Sequence, residues 1–207
     1  MSRRPLTNPR KQASQARSRA TVDALVEATA RILVRESFDR ASTNRIAEEA
    51  GVSIGSLYQY FPSKEALVAA VMDRHNRELT QVARRALAEV SALPLERAVR
   101  KLVTMAIEAH RLDPKLHRVL AEQIPRTGRL KEVEAFNREN YALFRTYLER
   151  HRDQIRAVDQ ELAAFVCVTS IEALTHTAVL HHSEMLSDEG IGPLVDEATR
   201  LIVTYLR

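Results

Sequence analysis

The side chains best equipped for chemistry lie between Ser42 and Lys64, where hydroxyls (Ser42, Thr43, Ser53, Ser56, Tyr58, Tyr60), amides (Asn44, Gln59) and one ammonium (Lys64) crowd into a short stretch. None is a nucleophile with a base beside it. They are hydrogen-bond donors and acceptors, and the chemistry open to them is recognition of a patterned polyanion. Gln59 can pair with an adenine edge, while the Ile54 side chain or the Ser56 methylene can meet a thymine methyl. Thr43, Tyr58, Tyr60 and Lys64 offer donors suited to phosphate oxygens, contacts that set register without reading sequence. Gly55 and Ser56 keep the surface low enough for close approach to bases. Ser42, Asn44 and Ser53, at the starts of two short helices, complete the candidate set, and the helix N-termini near Ser42 and Ser63 add anion-attracting amides.

Other chemistries have less to stand on. No His-Glu-x-x-His, Gly-x-Ser-x-Gly, Walker or dinucleotide pattern occurs, so no enzyme and no cofactor is expected. His110, His117, His151, His176, His181 and His182 all fall in the C-terminal part, but their spacing is poor. Glu172 and His176 share a helix face at i,i+4, whereas His181 and His182 point away and Cys167 lies more than a turn before Glu172, so no metal site is expected.

Helices must position the Ser42–Lys64 residues. Val22, Leu25, Ala28, Ile32 and Leu33 recur at three- and four-residue spacing, which predicts a first helix over 20–37 with Phe38 tucked beneath it. Ser42 and Thr43 are both good caps for a short helix over 44–50, and Gly51 supplies the positive φ that closes it. Ser53 caps a second short helix through Tyr60, ended by Pro62. Ala47, Val52 and Leu57 are spaced to pack these two helices together, leaving Ser53, Ile54, Ser56, Tyr58, Gln59 and Tyr60 around the outer side. Ser63 opens a long helix over 64–90, and further helices are predicted over 95–111, 114–123, 127–151, 159–181 and 193–206. No segment alternates with period two, so the fold class is all-α.

The string from Ser42 to Leu67, STNRIAEEAGVSIGSLYQYFPSKEAL, resembles the N-terminal signature of TetR-family transcriptional regulators. The resemblance covers about residues 17–70. It implies that the helix ending at Leu57 and Tyr58 is the recognition helix, that Tyr58 and Lys64 sit where the family holds phosphates, and that residues 53–60 cover the base-facing positions. Arg45 departs from the pattern: an acidic residue is common there and would complete a capping box with Ser42, so Thr43 is the alternative cap. For the rest of the chain the resemblance implies a helical domain that dimerises and encloses a small-molecule pocket. The expected organisation is thus a basic arm over 1–16, a DNA-binding domain over 17–63 with its helix-turn-helix at 42–61, and a ligand-binding and dimerisation domain over 64–207. The expected function is a repressor, released from a palindromic operator by a small effector. The alternative is a helical small-molecule-binding or catalytic protein whose helix-turn-helix is structural.

One short reading helix makes too few contacts for operator affinity, so a two-fold dimer on half-sites about 35 Å apart is expected. Its seam is predicted over 159–182 and 193–206, where Leu194, Ala198, Leu201, Ile202 and Tyr205 form a stripe and residues 162–180 are apolar on several faces. Met105, Phe136, Tyr141, Phe144 and Phe165 are the candidate walls of the effector pocket. The long helix from Lys64 is the lever between the domains.

Composition sets the bounds. At 207 residues, 45% hydrophobic and 28% charged, the chain is long enough to fold around a core without metal or disulfide staples. Its one cysteine, Cys167, lies in an apolar run, which suits a reducing cytoplasm. The net charge of +4 hides an uneven distribution: Arg3, Arg4, Arg10, Lys11, Arg17 and Arg19 all precede the first acidic residue, Asp23. Such an arm is either a solvated tail or a phosphate contact. No secretory signal follows it, and the apolar run 162–180 carries Glu172 and His176, so a buried helix and no membrane span is expected.

Overall fold

The computed structural model describes residues 16–111, 113–127, 130–156 and 159–207. The basic arm expected over 1–16 lies, up to residue 15, outside them. Among the described residues the chain is helical without a strand: α1 (Ala16–Arg40), α2 (Thr43–Glu49), α3 (Ile54–Tyr60), α4 (Lys64–Val90), α5 (Leu95–Arg111), α6 (Pro114–Thr127), α7 (Leu130–Arg150), α8 (Gln160–His181), a 3-10 turn at Ser183–Leu186, and α9 (Ile191–Leu206). The all-α expectation holds, and each predicted helix has its counterpart. α1 is longer than its apolar stripe because it carries on through a kink at Ser37, whose backbone (φ 69, ψ 169) leaves the helical region.

Two compact units emerge. The first contains α1, α2, α3, α4 as far as Asn76, and α6 from Lys115; the second contains α4 from Arg77, α5, α7 from Lys131, α8 and α9. This division falls inside α4 and gives α6 to the first unit, unlike the single boundary expected at residue 63. The reason is burial: Leu116 and Leu120 of α6 join Leu25, Ile32, Leu33, Ile46, Leu57, Leu67 and Val71 in one apolar core.

The core of the second unit gathers Val99, Val103 and Ile107 of α5, Leu148 of α7, Cys167, Ile171 and Val179 of α8, and Val195, Ile202 and Leu206 of α9. Alanines at 163, 164 and 178 let α8 lie close to its neighbours. α8 is long and apolar enough to cross a membrane by length and composition alone. Its apolar character has two other sources. One side is core, and the other exposes Leu162 (56%), Phe165 (48%) and Leu174, with Leu201 (53%) exposed on α9.

Candidate nucleic-acid interface

The reading unit is built by local rules. Ser42 Oγ accepts the Arg45 amide at 3.4 Å and is the N-cap of α2, so the helix begins at Thr43 and Thr43 is not the cap. The side chain of Arg45, unable to complete a capping box, turns to α1 and pairs with the Glu36 carboxylate. Arg31 Nε and an Arg35 terminal nitrogen each donate at 3.1 Å to Glu49, near the end of α2. Those bonds, that from Arg31 foremost, hold the Glu49 carboxyl below its usual range. Such exposed pairs contribute little each, and together they fix how α2 lies on α1.

α2 ends in a Schellman motif. Gly51 N donates to Glu48 O and Val52 N to Ala47 O, both at 3.0 Å, and Gly51 takes φ +67, a conformation L side chains rarely adopt. Val52 then packs against the apolar core. Ser53 Oγ caps α3 by accepting the Ser56 amide at 3.1 Å, and the two serine hydroxyls lie 2.9 Å apart. The Ser56 hydroxyl is therefore tied to the cap. Ser63 Oγ accepts the Ala66 amide at 3.1 Å and opens α4.

With α3 anchored by buried Leu57, its outer face carries Ser53, Ile54, Gly55, Tyr58 and Gln59, all exposed, with Ser56 half-buried. Ser42 and Asn44 are exposed at the start of α2 and Thr43 is half-buried. Thr43 Oγ1 and Tyr58 Oη come together at 3.0 Å, joining α2 to α3. One hydroxyl proton is used between them and the other is left to donate outward, polarised by the first bond.

Two assignments change. Tyr60 is 8% exposed and belongs to the core, because it falls on the Leu57 side of α3. Lys64 is already engaged: its Nζ donates to Phe38 O at 2.8 Å and Ala41 O at 3.0 Å, and sits 4.0 Å from the centre of the Phe38 ring. The ammonium thus closes the end of α1, whose last carbonyls need donors. The Lys64 role is not legible in the sequence, since the carbonyls it meets lie 26 and 23 residues away.

The candidate effector residues fall in different surroundings. Phe144 is buried and stacks on Tyr147 at 5.8 Å. Phe165 is exposed and meets Tyr141 edge-on at 5.5 Å, so it is a surface residue of this chain rather than an enclosed wall. Met105, Phe136 and Tyr141 are half-buried. Sequence spacing missed that α5 and α8 bring His110 and His176 to 5.4 Å between ring centres. Burial holds His110 below the ordinary histidine range, and its Nδ1–H donates to Ala106 O at 2.7 Å. Cys167 is buried and its thiol is pushed up to about 12, an inert core sulfur.

A compact helical unit that presents a small-residue helix over a tight turn, with polar groups outward, defines a helix-turn-helix DNA-binding protein. Residues 25–71 match the family model of bacterial regulatory proteins of the tetR family, and residues 94–206 match the tetracyclin repressor-like C-terminal domain. The chain belongs to the TetR family of transcriptional regulators, which are DNA-binding proteins rather than enzymes.

Among curated relatives it is similar to the nucleoid occlusion factor SlmA of Haemophilus ducreyi, 33% identical over 85 residues, 41% of either chain. It also resembles the A-factor receptor protein of Streptomyces griseus, 39% identical over 61 residues, 30% of this chain and 22% of the relative. The matches therefore span less than half of these relatives' lengths. Two solved structures share the fold: a TetR-family regulator from Mesorhizobium loti (TM-score 0.77, 20% identity, covering 92% of this chain and 98% of that one), and SmeT, the repressor of the Stenotrophomonas maltophilia multidrug efflux pump SmeDEF (TM-score 0.64, 20% identity, 91% and 93%).

Proposed function

We propose that the protein is a homodimeric repressor that occupies a palindromic operator in the cytoplasm and is released by a small effector bound in its C-terminal part. The observation that carries the DNA half is the exposed face of α3, with the Thr43–Tyr58 hydroxyl pair at its edge. Ile54, Ser56 and Gln59 read bases. Thr43 and Tyr58 hold a phosphate, with Ser42, Asn44, Ser53 and Gly55 at the surface that approaches the backbone, and Lys64 holds α1 and α4 in place.

The exposed apolar residues of α8 and α9 support dimerisation through 159–182 and 193–206. Leu162, Phe165, Leu174 and Leu201 would leave water when a second copy packs there as a four-helix seam. Effector control requires a ligand that prefers a dimer geometry whose reading helices no longer match the half-site spacing, since equal affinity for both states shifts nothing. SmeT, by its description a repressor of an efflux pump, supports the repressor reading by fold likeness.

The test is selection of duplexes from a random pool by the purified protein. The expected product is an inverted repeat with half-site centres roughly one helical turn apart, bound by a two-chain species. Recovery of unenriched duplexes overturns the proposal.

A further inference from the structure

The second unit holds a half-buried acid that its own fold leaves poorly satisfied. Among the described residues Glu172 of α8 receives one hydrogen bond, a long one of 3.5 Å from Asn140 Nδ2 of α7. Burial pushes its carboxyl above the usual range, opposed by the smaller pull of that bond. The other end of the same amide fares worse: Asn140 Oδ1 is buried and has no hydrogen-bond partner among the described residues. One residue on, Tyr141 Oη lies 3.2 Å from Thr169 Oγ1, three residues before Glu172, so two polar contacts bridge α7 and α8 within one turn. The Tyr141 ring in turn meets Phe165.

The Asn140 amide oxygen lacks a donor, and the Glu172 carboxyl that meets the same amide has one long bond and no ion pair among the described residues. A buried polar atom left without a partner is costly, and so is a charge drawn out of water with no counter-ion. We infer that the Asn140–Glu172 pair anchors the effector, and that the effector is a small organic cation with N–H donors, an ammonium or amidinium on an apolar body. This rests on the reading of the second unit as the effector domain. Its N–H groups supply the donor that Asn140 Oδ1 lacks and the counter-charge that Glu172 lacks, and the half-buried Tyr141 ring beside them gives the cation an aromatic surface. A neutral ligand leaves the acid without a counter-ion; an anion adds a like charge.

Isothermal titration of the full-length protein with 2-phenylethylammonium, 2-phenylethanol and phenylacetate separates charge from shape. The ammonium binds roughly tenfold or more tighter than the alcohol, and phenylacetate binds no better than the alcohol. Glu172→Gln lowers ammonium affinity by roughly the same factor and leaves the alcohol unchanged, and Asn140→Ala weakens the ammonium alone. A melting temperature for Glu172→Gln at or above that of the parent shows that the loss is not unfolding. No ammonium binding, equal binding of the alcohol, or an unaltered Glu172→Gln overturns the inference. Operator release is scored in the same samples. Release by phenylacetate or the alcohol but not by the ammonium overturns the cation assignment and leaves effector control standing; ammonium binding without release upholds the site and overturns effector control by this ligand.

Discussion

The hydroxyls of Thr43 and Tyr58 stand 3.0 Å apart, the first on α2 and the second on α3, so the two helices of the motif carry one coupled donor pair, proposed above as a phosphate contact. Thr43→Val and Tyr58→Phe should each weaken binding to operator and random duplexes alike. Because each hydroxyl polarises the other, the double variant should lose less than the sum, with a coupling of about 0.5–3 kcal/mol. Anisotropy titrations check this, and additive losses mean that the hydroxyls act separately.

Gln59 is exposed on α3. Gln59→Ala should relax preference at one position of each half-site by roughly 1–3 kcal/mol. Selection profiles of parent and variant are compared, and an unchanged motif removes Gln59 from the reading set.

Lys64 spends its ammonium on the carbonyls of Phe38 and Ala41. Lys64→Ala should therefore lower stability to urea, by about 1.5–3 kcal/mol for the loss of charged hydrogen bonds, and leave the salt dependence of DNA binding as it was. A fall of about one in that slope would return Lys64 to the phosphates.

Backbone conformation gives a pair of opposed effects. Ser37 sits at φ 69, ψ 169, a region close to glycine-only, so Ser37→Gly should stabilise the first unit by about 1 kcal/mol after the entropy of the glycine is charged against it. Gly51→Ala should destabilise it by a similar amount, since φ +67 there closes α2. Urea midpoints decide both.

His110 has its pKa lowered by burial from an ordinary 6.5. Between the lowered folded value and 6.5 the unfolded chain binds more protons than the folded one, so stability rises with pH through that window and is lost as pH falls. His110→Gln should flatten this part of the stability profile, measured by urea unfolding at fixed protein concentration. Parallel profiles for parent and variant would assign the slope to other groups.

The fold was largely legible because its signals are local. Ser53, Gly51, Pro62 and Ser63 punctuate the motif by caps and backbone angles that depend only on neighbours, and the apolar spacing of α1 reveals its buried face. The departures come from long-range contacts. Arg45 meets Glu36 across a kink, Lys64 meets carbonyls of α1, and α6 joins the first core through Leu116 and Leu120, none of which has a periodic signature. Tyr60 was misplaced by one helical step: on a seven-residue helix the face set by Leu57 also buries the residue three positions on. Asn140 and Glu172 lie 32 residues apart, and only the fold makes them a pair.

Genome-wide occupancy of the tagged protein, alongside its Tyr58→Ala variant, tests the DNA-reading claim most directly. The account predicts discrete sites sharing an inverted repeat for the parent and their loss in a variant that remains folded. Absence of enriched sites, or a variant that keeps them, would contradict it.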